Sequence, residues 1–154
     1  MSRRHLTFAC EGAQLVGTLD GGAASTGLLL VTGGNEIRSG AFSGQSHLAA
    51  RIAAQGFPVF RFDRRGVGDS EGDNHEFRSS APDIAAAISA FRAQAPHLTR
   101  IVGFGNCDAA SALMLAKGAG LDSLILSNPW TFDHVEEDEA GEAPPEVVRD
   151  HYRR

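Results

Sequence analysis

The chain has 154 residues, 42% of them apolar and 21% charged, enough to bury the core of one soluble globular domain. A formal net charge of -5 argues against a nucleic-acid or anionic-membrane partner, since both favour a basic face. No apolar run reaches the ~20 residues that span a bilayer, and none follows the basic start Arg3-Arg4 to form a signal peptide, so a cytoplasmic location is expected.

Residues 6–10 and 15–19 are short runs of strand type on either side of Glu11-Gly12-Ala13-Gln14, which predicts an antiparallel hairpin. A small-residue loop over 21–27 leads to Leu28-Leu29-Leu30-Val31, continuously apolar as a strand covered on both faces would be. Leu48, Ile52 and Ala53 recur at helical spacing, with Gly56 as a stop. Residues 57–62 read as a second central strand, with Pro58 tolerable only near its start. Ile84, Ile88 and Phe91 mark a helix ending before Pro96; 100–104 is a third strand, 109–116 a third helix and 124–126 a fourth strand. This alternation from Leu28 onward predicts a mostly parallel sheet with right-handed crossovers. Residues 1–130 therefore read as the domain core. Residues 131–154 read as an acidic loop, with seven acidic residues between Asp133 and Glu146, followed by the start of a helix.

The segment with most chemical content is Gly103-Phe104-Gly105-Asn106-Cys107-Asp108-Ala109-Ala110, between a predicted strand and a predicted helix. A nucleophile on a sharp strand-to-helix turn needs small residues two before and two after it, where the chain doubles back, and Gly105 and Ala109 meet that demand around Cys107. The turn would put the sulfur at a helix N-terminus, where partial positive charge favours a thiolate, with the adjacent Asp108 carboxylate opposing. The alternative is a buried structural cysteine beside a turn. Of the two cysteines, Cys10 lies in the hairpin; both are expected to be free thiols in a reducing compartment, with no metal-ligand spacing and no cofactor. A dinucleotide fingerprint fails because its third small residue would fall on Asp108, and no Walker A loop occurs.

Two other loops support the turn. Thr32-Gly33-Gly34-Asn35 follows the first central strand, where a backbone N–H of Gly34 or Asn35 could join that of Asp108 in holding an oxyanion; a plain turn is the alternative. Asp63-Arg64-Arg65-Gly66-Val67-Gly68-Asp69-Ser70 follows the second. Its expected role is structural, with Asp63 and an arginine such as Arg65 pairing inside the loop, Gly66 and Gly68 at positive φ, and Ser70 closing it.

Asp-x-Arg-Gly-x-Gly-x-Ser after a strand, with a small-x-nucleophile-x-small turn downstream, resembles the α/β-hydrolase superfamily. Val31-Thr32-Gly33-Gly34, residues 60–72, Cys107-Asp108-Ala109-Ala110-Ser111-Ala112 and Asn128-Pro129-Trp130 resemble exosortase A system-associated hydrolase 1 more closely, the Cys-Asp-Ala-Ala turn being the specific signal. The resemblance implies a three-layer α/β-hydrolase-like fold and a Cys107 nucleophile. It also implies hydrolysis of an ester, thioester or related acyl bond, in bacteria that make exopolysaccharide; a dienelactone-hydrolase-like reaction is a neighbouring possibility. It implies, too, that the fold continues with a cap and further strands carrying an acid and a histidine, so this chain is expected to be C-terminally incomplete. None of His5, His47, His75, His97, His134 and His151 follows a predicted late strand, and Asp133 is the one candidate for a displaced acid. A histidine from outside the chain would then complete the site. The expected partners are an acyl substrate and either a second copy or a complementing C-terminal polypeptide, held by the free edge of the 124–126 strand. The rival reading is a non-catalytic remnant or interaction module of the same fold.

Overall fold

The computed structural model describes residues 2–130. Strands β1 (Arg3–Cys10) and β2 (Ala13–Asp20) form the expected hairpin, in register from Arg3 opposite Asp20 to Cys10 opposite Ala13. The turn is tight because Gly12 takes φ 86°. β3 (Thr26–Val31) leads through a loop to α1 (Gly44–Ala54), then β4 (Val59–Phe62), α2 (Ala81–Gln94), β5 (Arg100–Asn106), α3 (Asp108–Leu115) and β6 (Ser123–Ser127). The six strands make one sheet in the order β1-β2-β4-β3-β5-β6, antiparallel through the first three and parallel from β4 onward.

Side-chain alternation in β3 divides the core. Leu29 and Val31 face Phe60, Phe62, Ile84, Phe91 and Leu113, in the larger apolar cluster that α2 and α3 cover. Leu30, with Leu28 beside it, faces Ala49 and Ile52 of α1 on the other side. A continuous apolar run is therefore used on both faces of a central strand, and the layers are helix, sheet, helix. Phe60 stacks on Phe91 with ring centroids 5.5 Å apart, a contact that adds to the area buried.

Strand β4 starts two residues later than the sequence suggests. Pro58 has no N–H for the ladder, so only its carbonyl pairs, accepting Leu28 N–H at 2.8 Å, while Phe57 stays exposed. At the opposite side of the sheet β6 is the outermost described strand, and all five of its residues are exposed, Leu124, Ile125 and Leu126 among them.

In the loop after β4, Gly66 and Gly68 take φ 68° and 57°. A Cβ on Gly68 would lie 2.5 Å from the Asp63 carboxylate, so this glycine lets the loop wrap its own aspartate. The pairing expected inside the loop does not form. Asp63 is fully buried and accepts the Arg38 N–H at 2.6 Å, the Asp69 N–H at 3.1 Å and the Arg38 guanidinium. Arg65 reaches the N-terminal turn of α2 and pairs with Asp83 at 2.5 Å, and with Glu11 of the hairpin turn. The reason is competition for buried charge: Asp83 is 4% exposed and needs a cation, while Asp63 is already satisfied by backbone amides and Arg38. Ser70 Oγ donates to the Asp63 carbonyl at 2.7 Å and accepts Val16 N–H at 2.9 Å, which ties the loop to β2.

Candidate active site

Cys107 is the one residue between β5 and α3, and its backbone sits at φ 58°, ψ -130°. A side-chain-bearing residue held there costs of order 1–3 kcal/mol, which the surroundings must offset. They do so with backbone bonds. Cys107 N–H donates to Ser127 C=O at 3.0 Å, and its own carbonyl accepts the N–H groups of Ala110 at 3.0 Å and Trp130 at 3.4 Å. Ser111 Oγ donates to the Trp130 carbonyl at 2.6 Å, so the segment after β6 is fastened over the start of α3.

The requirement for small neighbours is visible as distances. A Cβ on Gly105 would stand 2.7 Å from the Ala109 carbonyl group and 2.8 Å from Ala110 N. Ala109 itself is fully buried against the main core. The turn therefore brings strand and helix backbones into contact and leaves Cys107 half-buried at the top of the sheet.

Cys107 lines a cleft of about 300 Å³ together with Gly34, Asn35, Arg64, Asp108 and Trp130, and with Asn74, Glu76 and Phe77 from the segment before α2. All four residues expected to act at the oxyanion or as nucleophile, Gly34, Asn35, Cys107 and Asp108, thus line one cleft, but the donors are not all open. Gly34 N–H donates to Asp108 Oδ2 at 2.6 Å. The carboxylate fits because position 33 is glycine: a Cβ there would lie 2.0 Å from Asp108 Oδ1. An internal carboxylate thus occupies one of the amides that the sequence offers to an oxyanion. Asp108 N–H lies at the first helical position of α3, among the amides that have no intrahelical acceptor. Asn35 contributes a side-chain bond, its Oδ1 accepting from Asn74 Nδ2 at 2.7 Å across the cleft wall.

The described histidines lie elsewhere. The His5 ring nitrogen Nδ1 is 2.9 Å from Thr18 Oγ1, His97 Nε2 is 3.1 Å from the Gly22 carbonyl oxygen, and His47 and His75 are exposed; none lines the cleft. Asp133, His134 and His151, with the acidic segment 131–154, lie outside the described residues. Among the described residues no group of His, Cys, Asp and Glu side chains is arranged to hold a metal ion, and no helix is long and apolar enough to cross a membrane.

Cys10 lies outside this cleft. It is 5% exposed, its Sγ contacts Asp83 Oδ1 at 3.4 Å, and burial together with that carboxylate pushes its thiol up to about 11.

Sequence reading passed over Arg64. It was one of two adjacent arginines in a loop, and only its burial at 2% exposure and its place in the cleft set it apart. The doubled Arg64-Arg65 was the available signal, since one loop position cannot serve both side chains.

Residues 25–148 match the family serine aminopeptidase, S33 (Hydrolase_4). No curated protein matches the sequence. Among solved structures, the α/β hydrolase GrgF from Penicillium sp. sh18 is 21% identical with a TM-score of 0.71, over 84% of this chain and 46% of that one. The esterase Pf2001 from Pyrococcus furiosus is 19% identical with a TM-score of 0.63, over 73% of this chain and 45% of that one. DcsB, solved with a substrate analogue, is 18% identical with a TM-score of 0.74, over 99% of this chain and 54% of that one. The chain therefore spans about half the length of the solved structures it matches.

Proposed function

We propose that this chain, which belongs to the serine aminopeptidase S33 (Hydrolase_4) family within the α/β-hydrolase superfamily, carries the nucleophile half of an acyl hydrolase. The observation that supports this most directly is Cys107 at positive φ on the tight β5–α3 turn, opening into a cleft that also holds Gly34 and Asp108. In the proposed reaction the Cys107 thiolate attacks a carbonyl carbon, and the carbonyl electron pair moves onto oxygen, toward the amides of Asp108 and of Gly34 or Asn35. Collapse expels the alcohol, thiol or amine with a proton and leaves an acyl thioester on Cys107, which water hydrolyses to the acid and the free thiol. A histidine from beyond the described residues serves as base for both steps. The esterase Pf2001 among the structural relatives is compatible with ester substrates. The Cys107-Asp108-Ala109-Ala110 turn supports the narrower placement with exosortase A system-associated hydrolase 1 and thus a link to exopolysaccharide-producing bacteria.

The test is p-nitrophenyl acetate and an acyl thioester offered to the wild-type chain and to Cys107→Ala. The expected result is a stoichiometric, Cys107-dependent burst of product followed by slow turnover, because attack needs only the thiolate while efficient deacylation needs the base. A wild-type chain that behaves like Cys107→Ala would overturn the proposal. It would leave the second reading, a non-catalytic module, which the Asp108 carboxylate on Gly34 N–H and the absence of a cleft histidine among the described residues favour.

A further inference from the structure

Arg64 is the least expected member of the cleft. A guanidinium buried to 2% exposure is costly to desolvate, the more so here because its Nε has no hydrogen-bond partner among the described residues and only the two Nη groups are bonded. Burial holds Arg64 below the ordinary arginine range, with the charges of Asp108 and Asp83 opposing that shift. Its hydrogen-bond partners are neutral oxygens. Nη2 donates to the Gly34 carbonyl and Nη1 to Ser80 Oγ at 2.9 Å, and the Ser80 hydroxyl passes the contact on to the Glu76 carbonyl at 2.9 Å. Gly34 and Glu76 stand in different walls of the cleft that holds Cys107, so one side chain ties the two walls together.

The contact with Gly34 has a directional consequence. A peptide unit is planar and trans, so pinning the Gly34 carbonyl fixes the plane it shares with the Asn35 N–H. Gly34 itself sits at φ 52° next to a second glycine, the pair with the widest backbone freedom in the loop. Without that anchor the Gly34–Asn35 peptide could rotate and turn the Asn35 N–H away from its present direction. The Gly34 N–H belongs to the preceding peptide unit and is held from the other side, by Asp108 Oδ2 2.6 Å away.

We propose that Arg64 is a positioning residue for the reaction at Cys107: by clasping the Gly34 carbonyl it holds the Asn35 amide of the same peptide unit in place as an oxyanion donor beside that of Gly34, and through Ser80 it sets the width of the cleft. This role rests on the reading of Cys107 as an acyl-transfer nucleophile. It also explains the doubled arginine. Arg65 serves Asp83 and the hairpin, and Arg64 serves the site.

The experiment follows Cys107 acylation by p-nitrophenyl acetate in the full chain, as burst rate against ester concentration, for the wild type, Arg64→Lys, Arg64→Ala and Ser80→Ala. Thermal melts and the amide resonances of Gly34 and Asn35 accompany it. Losing an oriented oxyanion donor costs on the order of 10²-fold in rate. The expected result is a limiting acylation rate about 10²-fold lower in Arg64→Ala with half-saturation changed by less than about twofold, a smaller loss in Ser80→Ala, and shifted Gly34 and Asn35 resonances. Arg64→Lys should rescue poorly because an ammonium cannot reach both oxygens as a fork does. Added methylguanidinium should restore part of the Arg64→Ala rate and leave Cys107→Ala inert. Folded variants that acylate at the wild-type rate would overturn the role. So would a loss that tracks the unfolded fraction and ignores methylguanidinium. Absence of Cys107-dependent acylation in the wild type is a different failure, because it removes the hydrolase reading and this role together.

Discussion

Replacing Asp108 with asparagine should make Cys107 react faster with acyl donors. The Asp108 carboxylate now accepts the Gly34 N–H at 2.6 Å, and in the proposed reaction an oxyanion forming at Cys107 competes for the same amide. Hydrogen bonds to a charged acceptor contribute about 1.5–3 kcal/mol, and the half-exposed position of Asp108 places this one at or below the lower end. Displacing it therefore adds roughly 1.4 kcal/mol to the barrier, or about a factor of ten in rate. Asparagine keeps the shape and removes the charge, so the expected result is a burst rate about tenfold higher. The same change removes a favourable charge from the first turn of α3, worth about 0.3–1 kcal/mol, so melting should fall by a few degrees at most. Gly33→Ala is an independent control, because its Cβ would lie 2.0 Å from Asp108 Oδ1 and must expel the carboxylate by sterics alone. Both variants should move the rate in the same direction. A slower or unchanged rate in a folded Asp108→Asn chain would refute the competition argument and assign the carboxylate a supporting role.

Iodoacetamide labelling mapped by mass spectrometry at neutral pH should modify Cys107 well before Cys10, whose thiol is buried and pushed up to about 11; equal labelling would contradict the contrast between the sites. Because the Cys10 proton is held more tightly in the folded chain, its contribution to stability is complete below an unfolded thiol value near 9. It is lost as pH rises toward about 11, a fall on the order of 2 kcal/mol that Cys10→Ser should abolish in urea titrations across that range. Gly105→Val should cost about 3 kcal/mol or more and disorder the turn, since its first side-chain carbon already meets the Ala109 carbonyl group at 2.7 Å; a stable variant with wild-type Cys107 labelling would refute the steric account. We further propose that the exposed β6 edge, with Leu124, Ile125 and Leu126, pairs with a second copy or with a complementing polypeptide. Sedimentation of the purified chain should then show a dimer or larger species that Leu126→Lys dissociates, and a monodisperse monomer for both would overturn it.

Much of the architecture was legible along the chain because its causes are local. Apolar runs of strand length, helical spacing closed by Gly56, and turn residues between them specify elements whatever the fold. The demand for small residues around Cys107 is likewise a matter of a few consecutive positions, and Gly105 and Ala109 meet it at contact distances that the structure displays. The strand boundary at Pro58 moved by two residues because a missing N–H matters only once a neighbouring strand is there to want it. Tertiary structure alone decided the charges. Asp63 took Arg38, 25 residues away, in preference to the arginines beside it, and Arg65 took Asp83. Gly34 gave its amide to a carboxylate 74 positions downstream, and Arg64 went inside to hold that glycine. A buried ion chooses its partner by competition among all groups that packing brings within reach, and no sequence spacing records which of them arrive together.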